Sequence, residues 1–365
     1  MSRFKRLAKK LSISAGALLV AGIGLELVLR AQEPGPFSFI DRNPYVESEP
    51  DIHVRHKPGF EGRWDSTWYS IDERGFRGET KPLTFADDEL RVICLGDSCT
   101  FGKGVLETDT WPRRLESMLR AEESRDAVVF NLGINGGHAR VYRQILEENI
   151  DELKPNVILI GFNINDFPNT IREVDEKVFN QRKLRSVIPQ WLRDGMGRLA
   201  LYRKARAIYY DQQKERDWKA SEATAAKTAA AAKSGEPGSD PASEKVWALQ
   251  RQYLTSIREM ADAAGAEVYV FLFPYETQIY LDTFDRTPIE TLSAVCEGLD
   301  MPFFDLTGRF REVARRPEAP QRLFIEGDRY HPNAAGYRLV SEVVLGELKA
   351  QGAAGLSQTG APASK

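Results

Sequence analysis

The sequence predicts an α/β protein: a three-layer α/β/α sandwich on a five-stranded parallel sheet, preceded by one N-terminal transmembrane helix. Three observations predict it. Short apolar runs alternate with stretches of helical spacing from about residue 90 onward, as a βαβ series requires. Runs such as Val92-Ile93-Cys94-Leu95 and Val157-Ile158-Leu159-Ile160 are apolar throughout, which fits strands covered by helices on both faces. Near the start, Leu11 to Leu29 carries a single charge, Glu26, and is long enough to cross about 30 Å of hydrocarbon as a helix.

Arg3, Lys5, Arg6, Lys9 and Lys10 precede that apolar stretch, so the basic tip should stay cytoplasmic and everything after Arg30 should lie across the membrane, in the periplasm or outside the cell. Leu29-Arg30-Ala31 is a poor small-x-small cleavage site, which favours an uncleaved signal anchor over residues 1–31. Residues 32–89 form an accessory segment. It contains Pro34, Pro36, Pro44, Pro50 and Pro58, then strand-like residues from Trp64 to Ile71 and the turn-like Glu73-Arg74-Gly75-Phe76-Arg77-Gly78. Trp64, Trp68 and Tyr69 could build a sugar platform, although packing on the domain edge is the simpler use of such rings.

The main domain is expected over residues 90–350, and the 365-residue chain leaves no room for a second enzyme domain. Its strands are Val92 to Leu95, Ala127 to Asn131, Val157 to Gly161, Ala266 to Phe273 and Pro302 to Leu306. Trp111, Leu115, Met118 and Leu119 share a helical face after the first strand, with Pro112 in the first turn. Val141, Ile145, Ile150 and Leu153 do so after the second. Leu254, Ile257 and Met260-Ala261 precede the fourth, and Tyr337, Val340, Val344 and Leu348 close the series. An insertion at about 185–245 is expected to be partly helical and largely mobile or disordered. It is rich in Ala, Lys, Glu and Ser, and Gly235-Glu236-Pro237-Gly238-Ser239-Asp240-Pro241 should break any helix there. Apolar residues between Val187 and Tyr209 could form a lid or a plain surface pair of helices, and residues 351–365 read as a disordered tail.

Two separated stretches carry chemistry. Ser98 follows the first strand in Gly96-Asp97-Ser98-Cys99-Thr100-Phe101-Gly102, and Asp328-Arg329-Tyr330-His331 lies near the far end. A Ser at the carboxyl end of a buried strand faces the crevice where open α/β sheets bind ligands, and its hydroxyl needs an imidazole to become reactive. Alone, Gly96-Asp97-Ser98 reads equally well as a strand-end turn, and His331 before Pro332 as a polar residue at a helix start. The pairing changes the balance. There are only four His residues, and His331 has a carboxylate three positions earlier that can hold its second ring nitrogen.

Taken together, these residues resemble the SGNH or GDSL hydrolase family, which carries four separated blocks around a Ser/His site. The first is Gly96-Asp97-Ser98. The second resembles Asn131-Leu132-Gly133-Ile134-Asn135-Gly136, the third Asn165-Asp166, and the last is Asp328-x-x-His331. The resemblance covers about residues 90 to 345 and implies the flavodoxin-like SGNH hydrolase fold. It also implies a catalytic set of Ser98, His331 and Asp328, and an oxyanion hole of the Ser98 N–H, the Gly136 N–H and the Asn165 side chain. Each such donor supplies about 3 kcal/mol by meeting charge that develops in the transition state. The third block departs from the usual Gly-x-Asn-Asp: this chain reads Asn163-Ile164-Asn165-Asp166, with a glycine at Gly161, so Asn163 competes for the role of Asn165. Asp97 and Asp166 read as structural loop carboxylates. Cys99 adjoins the nucleophile, but the family pattern places the reacting atom on Ser98.

Composition narrows the function. A net charge of −3 without a folded basic stripe gives no footprint for nucleic acid. The three cysteines, Cys94, Cys99 and Cys296, form neither a disulfide framework nor a metal spacing, and no phosphate loop or metal cluster appears, so no cofactor and no metal are expected. The expected activity is a membrane-anchored serine esterase that cleaves acetyl or other short acyl esters of a cell-surface glycan or lipid. An O-acyltransferase on surface polysaccharide could use the same triad, and a non-catalytic binding or assembly protein could keep the fold.

Overall fold

The computed structural model describes residues 2–32, 45–48, 53–64, 67–122, 126–163, 199–202, 204, 205, 208, 241–280, 284, 286–316, 321–328 and 330–356. Five parallel strands form the central sheet: β5 (Leu90–Gly96), β6 (Ala127–Asn131), β7 (Val157–Asn163), β8 (Glu267–Phe273) and β9 (Phe303–Asp305). They stand in the order β6-β5-β7-β8-β9. Strand order therefore reverses at β5, and the crevice beyond the carboxyl ends of β5 and β7 is where such sheets place their chemistry. All five runs seen in the sequence are strands; β7 continues two residues past Gly161, to Asn163.

The period-2 alternation of each strand sorts its side chains into two cores. Val92 and Cys94, Val157 and Leu159, and Tyr269, Phe271 and Phe273 pack on one side with α3 (Trp111–Glu122), α8 (Thr307–Ala314) and α9 (Ala334–Gln351). On the other side Ile93 and Leu95, Ile158 and Ile160, and Val268, Val270 and Leu272 meet α4 (Ala139–Leu153), α5 (Pro241–Ala264) and α7 (Thr287–Glu297). The remaining helices are α1 (Ser2–Gln32), the four-residue α2 (Ser98–Phe101) and α6 (Glu276–Tyr280). Leu115, Ile145, Leu254, Ile257 and Tyr337, taken from the helical spacing, are all buried.

Two details differ from expectation. Pro332 is not a first helical residue: α9 starts at Ala334, and Asn333 caps it by accepting from the Ala335 and Gly336 N–H groups at 2.9 and 3.0 Å, while Pro332 bridges to Phe324. The last turn of the domain reaches beyond residue 351, because Ala353 and Leu356 are buried in the core; residues 357–365 lie outside the described residues. Most of the insertion at about 185–245 also lies outside them, and α5 begins at Pro241, where the Gly/Pro run ends.

Ahead of the sheet, β1 (Tyr45–Ser48) pairs antiparallel with β2 (His53–His56), and β3 (Glu61–Trp64) with β4 (Thr67–Ser70). A third, smaller core of Phe60, Tyr69 and Ile71 closes on Phe101 of α2. The accessory residues are thereby packed against the helix that carries Ser98. Helix α1 includes a 19-residue apolar span, Ile13–Ala31, none of it buried in the protein.

Candidate active site

Strand β5 ends at Gly96, and the chain turns at once into α2. Asp97 caps this helix: its Oδ1 accepts the Cys99 N–H at 2.8 Å, and its backbone oxygen accepts from Thr100 and Phe101. Gly102, in the left-handed region at φ 81°, ends it. The turn is tight because two glycines make room for one threonine. Gly96 and Gly161 are register partners on β5 and β7, and a Cβ on either would lie 2.0 and 2.2 Å, respectively, from Thr100 Oγ1. Ser98 is thereby pressed against the carboxyl ends of the two strands that flank the crevice. Gly161, which looked misplaced in the third block, has this packing role.

The two distant stretches meet. Ser98 Oγ lies 2.8 Å from His331 Nε2, and His331 Nδ1 lies 2.8 Å from Asp328 Oδ2. A carboxylate can only accept, so Nδ1 carries the proton and donates to Asp328, leaving Nε2 as an acceptor for the Ser98 hydroxyl. The other oxygen, Asp328 Oδ1, accepts from the backbone N–H of Tyr330 at 2.9 Å and of His331 at 3.2 Å. The acid is thus held by the loop it shares with the imidazole. Ser98 is 7% and His331 8% exposed, so the pair is dry on most sides yet still reachable. Asp97 Oδ2 is 3.3 Å from Ser98 Oγ, a longer contact than that to His331. Asp97 thus caps the helix, as its loop reading expects, and also borders the Ser98 hydroxyl.

The second block hangs on β5. Leu132 N–H and Ile134 N–H donate to the Cys94 and Gly96 carbonyls, both at 2.9 Å, and Gly137 N–H closes a turn on Ile134 O at 2.8 Å. Gly136 sits in that turn at φ 74°, exposed, with open space where a Cβ would point. Only a residue without a Cβ adopts this conformation at little cost and lets another group approach the backbone. Asn165 lies outside the described residues. Its competitor Asn163 ends β7, fully buried, and its Nδ2 donates to Cys99 Sγ at 3.1 Å. Cys99 Sγ is in turn 3.6 Å from Tyr330 O, so the thiol links β7 to the loop that bears His331. Buried there, the thiol has a packing and linking role.

The supporting roles of several residues were not visible in the sequence. Asn131 donates to Thr100 O at 2.9 Å and accepts the Gly133 N–H at 3.0 Å, fastening the second block to α2. Arg77, read as part of a turn, lays its guanidinium 4.3 Å from the Tyr69 ring centre and 5.0 Å from that of Phe101, and donates to Val105 O at 3.1 Å. Tyr69 stacks on Phe101 with ring centres 5.4 Å apart, and its hydroxyl accepts the Gly104 N–H at 2.8 Å. His56 packs 4.4 Å from Phe101, and burial pushes its pKa down to about 3. Tyr69 therefore serves packing rather than a sugar platform, as does Trp64, which is partly buried against it; Trp68 is the exposed ring of the three. Aromatic content alone hinted at this cluster; nothing local linked it to Ser98. Among the described residues no group of three or more His, Cys, Asp or Glu side chains is placed to hold a metal.

Comparison with known proteins agrees with this geometry. Residues 94–339 match the model of the GDSL-like lipase/acylhydrolase family. Solved structures similar to the chain include TesA, at 19% identity over 71% of this chain and 98% of that one with a TM-score of 0.40. The psychrotrophic esterase EstA from Pseudoalteromonas sp. is 15% identical over 73% and 98% of the two chains, with a TM-score of 0.40. The acetyl xylan esterase AlAXEase is 14% identical over 71% and 100%, with a TM-score of 0.42. No curated protein sequence matches. A family match over most of the chain, on a parallel sheet with Ser98 and His331 in contact at its carboxyl edge, identifies this protein as an ester hydrolase belonging to the GDSL-like lipase/acylhydrolase family.

Proposed function

We propose that the protein is a membrane-anchored serine esterase that removes acetyl or other short acyl groups from a glycan or lipid of the cell surface. One observation carries the catalytic reading: the unbroken chain of 2.8 Å contacts from Ser98 Oγ through His331 to Asp328. Ser98 Oγ attacks the ester carbonyl as its proton passes to His331 Nε2, and the carbonyl π electrons move onto oxygen. Asp328 stabilises the imidazolium that forms. The tetrahedral intermediate collapses, the C–O bond to the alcohol breaks, and the alcohol leaves with the proton from His331. Water then repeats the sequence on the acyl-serine, releasing the carboxylic acid and restoring the hydroxyl.

Oxyanion charge falls to the Ser98 N–H, one of the orphan donors at the start of α2, and to the Gly136 N–H. The third donor is the Asn165 side chain, with Asn163, already engaged with Cys99, as the reserve candidate. The preference for short acyl groups and a surface substrate rests on the family and on α1, whose Ile13–Ala31 span follows the basic residues Arg3 to Lys10. In that orientation the catalytic domain faces the periplasm or the exterior. Membrane anchoring by α1, an accessory unit before residue 90 and a hydrolase domain after it complete the organisation.

The test is direct. The full chain should take up a fluorophosphonate at Ser98 and hydrolyse acetyl esters faster than long-chain ones, and Ser98→Ala should lose both properties while keeping stability within about 1 kcal/mol. A well-folded wild type that forms no adduct would point instead to a non-catalytic binding role. Mass analysis with a sugar acceptor present separates free acid, the hydrolase product, from an acylated sugar, the transferase product.

A further inference from the structure

Glu26 is the single charge in the apolar stretch of α1, and its carboxylate is fully engaged. It accepts the backbone N–H groups of Ala200 and Leu201 at 2.8 and 2.9 Å and the Arg30 Nε–H at 2.7 Å. Residues 200–202, 204, 205 and 208 are helical, so Glu26 satisfies the opening donors of a helix that lies far away in sequence. A carboxylate is costly in an apolar span unless paired, and here the partners come from Arg30 and from this helical stretch. Ala200 is 1% exposed at this junction, whereas Leu201 is 44% and Ile208 50% exposed.

The exposure is general: Leu199, Leu201, Tyr202, Lys204, Ala205 and Ile208 are all exposed, and among the described residues here only Ala200 is covered. Exposed apolar side chains with basic residues among them, here Lys204 and in the sequence Arg203 and Arg206, are the composition of segments that lie in a membrane interface. Its level agrees. Glu26 is five residues before Ala31, the end of the apolar span, which places the junction about 7 Å below the span's outer end at 1.5 Å per residue. Interfacial helices bury their apolar face about 5–10 Å into the headgroup and acyl boundary. On α1 itself Leu25, Leu27 and Val28 are exposed near Glu26, so both partners of the junction carry open apolar side chains.

We infer that residues 199–202, with Ala205 and Ile208, are a second membrane contact, seated on the outer leaflet with Leu201 and Ile208 in lipid and fastened to the anchor by Glu26. This rests on the reading of α1 as a membrane span with its N-terminus cytoplasmic. The catalytic domain is then held at the bilayer at two points rather than swinging from one.

The test uses the full chain in vesicles of phosphatidylcholine and phosphatidylglycerol, with a nitroxide on Leu201→Cys, Val20→Cys or, as an aqueous reference, Leu106→Cys. Cys94, Cys99 and Cys296 are buried and leave little background. Collision with oxygen and with a water-soluble nickel chelate reports depth. The label at 201 should collide with nickel several-fold less than the label at 106 and sit shallower than the one at 20. In Glu26→Leu the label at 201 should move into water while that at 20 stays in lipid. A label at 201 in water, or shielded from both oxygen and nickel by protein, with the label at 20 in lipid, would overturn this inference and leave the anchor standing. A label at 20 in water would remove the anchor and this inference together. An unchanged depth at 201 in Glu26→Leu would overturn the fastening by Glu26.

Discussion

Replacing Asp328 by Asn separates the positioning of the imidazole from everything else the loop does. In the wild type, Oδ2 receives the His331 Nδ1–H at 2.8 Å, and Oδ1 receives two backbone N–H groups at 2.9 and 3.2 Å. An amide has one oxygen, so it must choose. With its oxygen on the backbone donors, the NH2 group faces Nδ1, which must then accept. The ring proton moves to Nε2, and Ser98 loses the acceptor for its hydroxyl. With the amide flipped, the productive tautomer survives, but its NH2 faces two N–H groups and leaves them unpaired. Each unmet donor costs about 1–3 kcal/mol, which puts the productive arrangement about 2–6 kcal/mol above the inert one. At 1.36 kcal/mol per decade, turnover should fall by about 30-fold to 3 × 10⁴-fold. The inert arrangement keeps both backbone contacts, so stability should change by no more than about 1 kcal/mol. Steady-state hydrolysis of p-nitrophenyl acetate by full-length protein, beside urea titration of both proteins, measures the two quantities. Activity of Asp328→Asn within five-fold of wild type, in protein of unchanged stability, would refute the tautomer argument.

Three further outcomes follow from other contacts. Gly161→Ala should destabilise by about 1–3 kcal/mol because its Cβ meets Thr100 Oγ1 at 2.2 Å, and Thr100→Ala should recover much of that loss. The same second substitution should not rescue Gly96→Ala, whose Cβ also meets Thr100 Cβ at 2.6 Å and Gly161 O at 2.7 Å; equal rescue in a double-mutant cycle would be the contrary result. His56, held near a pKa of about 3 against an ordinary 6.5, binds its proton only when the chain unfolds, so its stabilisation is whole above pH 6.5 and is lost as pH falls toward 3. Between pH 6 and 4.5 unfolding free energy should drop about 2 kcal/mol more in wild type than in His56→Phe, read from urea midpoints; parallel curves would contradict it. Tyr69→Phe should strand the Gly104 N–H and cost about 1–3 kcal/mol of thermal stability, with no change if that donor finds another acceptor.

The sheet could be read from the sequence because four of its strands are short, mostly buried apolar runs, only the edge strand β9 being half-buried, and because helices such as α3 and α9 bury residues at strict 3.6 spacing. Trp111, Leu115 and Leu119 show the rule on α3, and Tyr337, Val340, Val344 and Leu348 on α9. Ser98, His331 and Asp328 were readable for another reason: their chemistry restricts the residue types, and Asp328 and His331 are only three positions apart. Capping was harder. Asn333 outcompetes Pro332 for the start of α9 because its side chain offers an acceptor to two N–H groups, an advantage visible only once the loop path is known. Asn163 was equally ambiguous, since whether a buried amide faces an oxyanion or a thiol depends on where α2 lies.

What local pattern could not show is how α2 survives. Four residues cannot form a stable helix alone, since the nucleus costs more than one turn repays. The turn is kept by its surroundings. Thr100 is wedged between Gly96 and Gly161 from the sheet side, and Asn131 holds the Thr100 carbonyl from the second block. From the accessory side, His56, Tyr69 and Arg77 enclose Phe101. These groups come from four separate stretches, and each contact depends on the others being in place. His56, Tyr69 and Arg77 are therefore part of the scaffold of the turn that carries Ser98. Removal of the residues before 90 should weaken Ser98 reactivity, although the partners of its hydroxyl are His331 and Asp97. A chain lacking them that stays folded and labels with fluorophosphonate at the full-length rate would show that the sheet and the second block suffice.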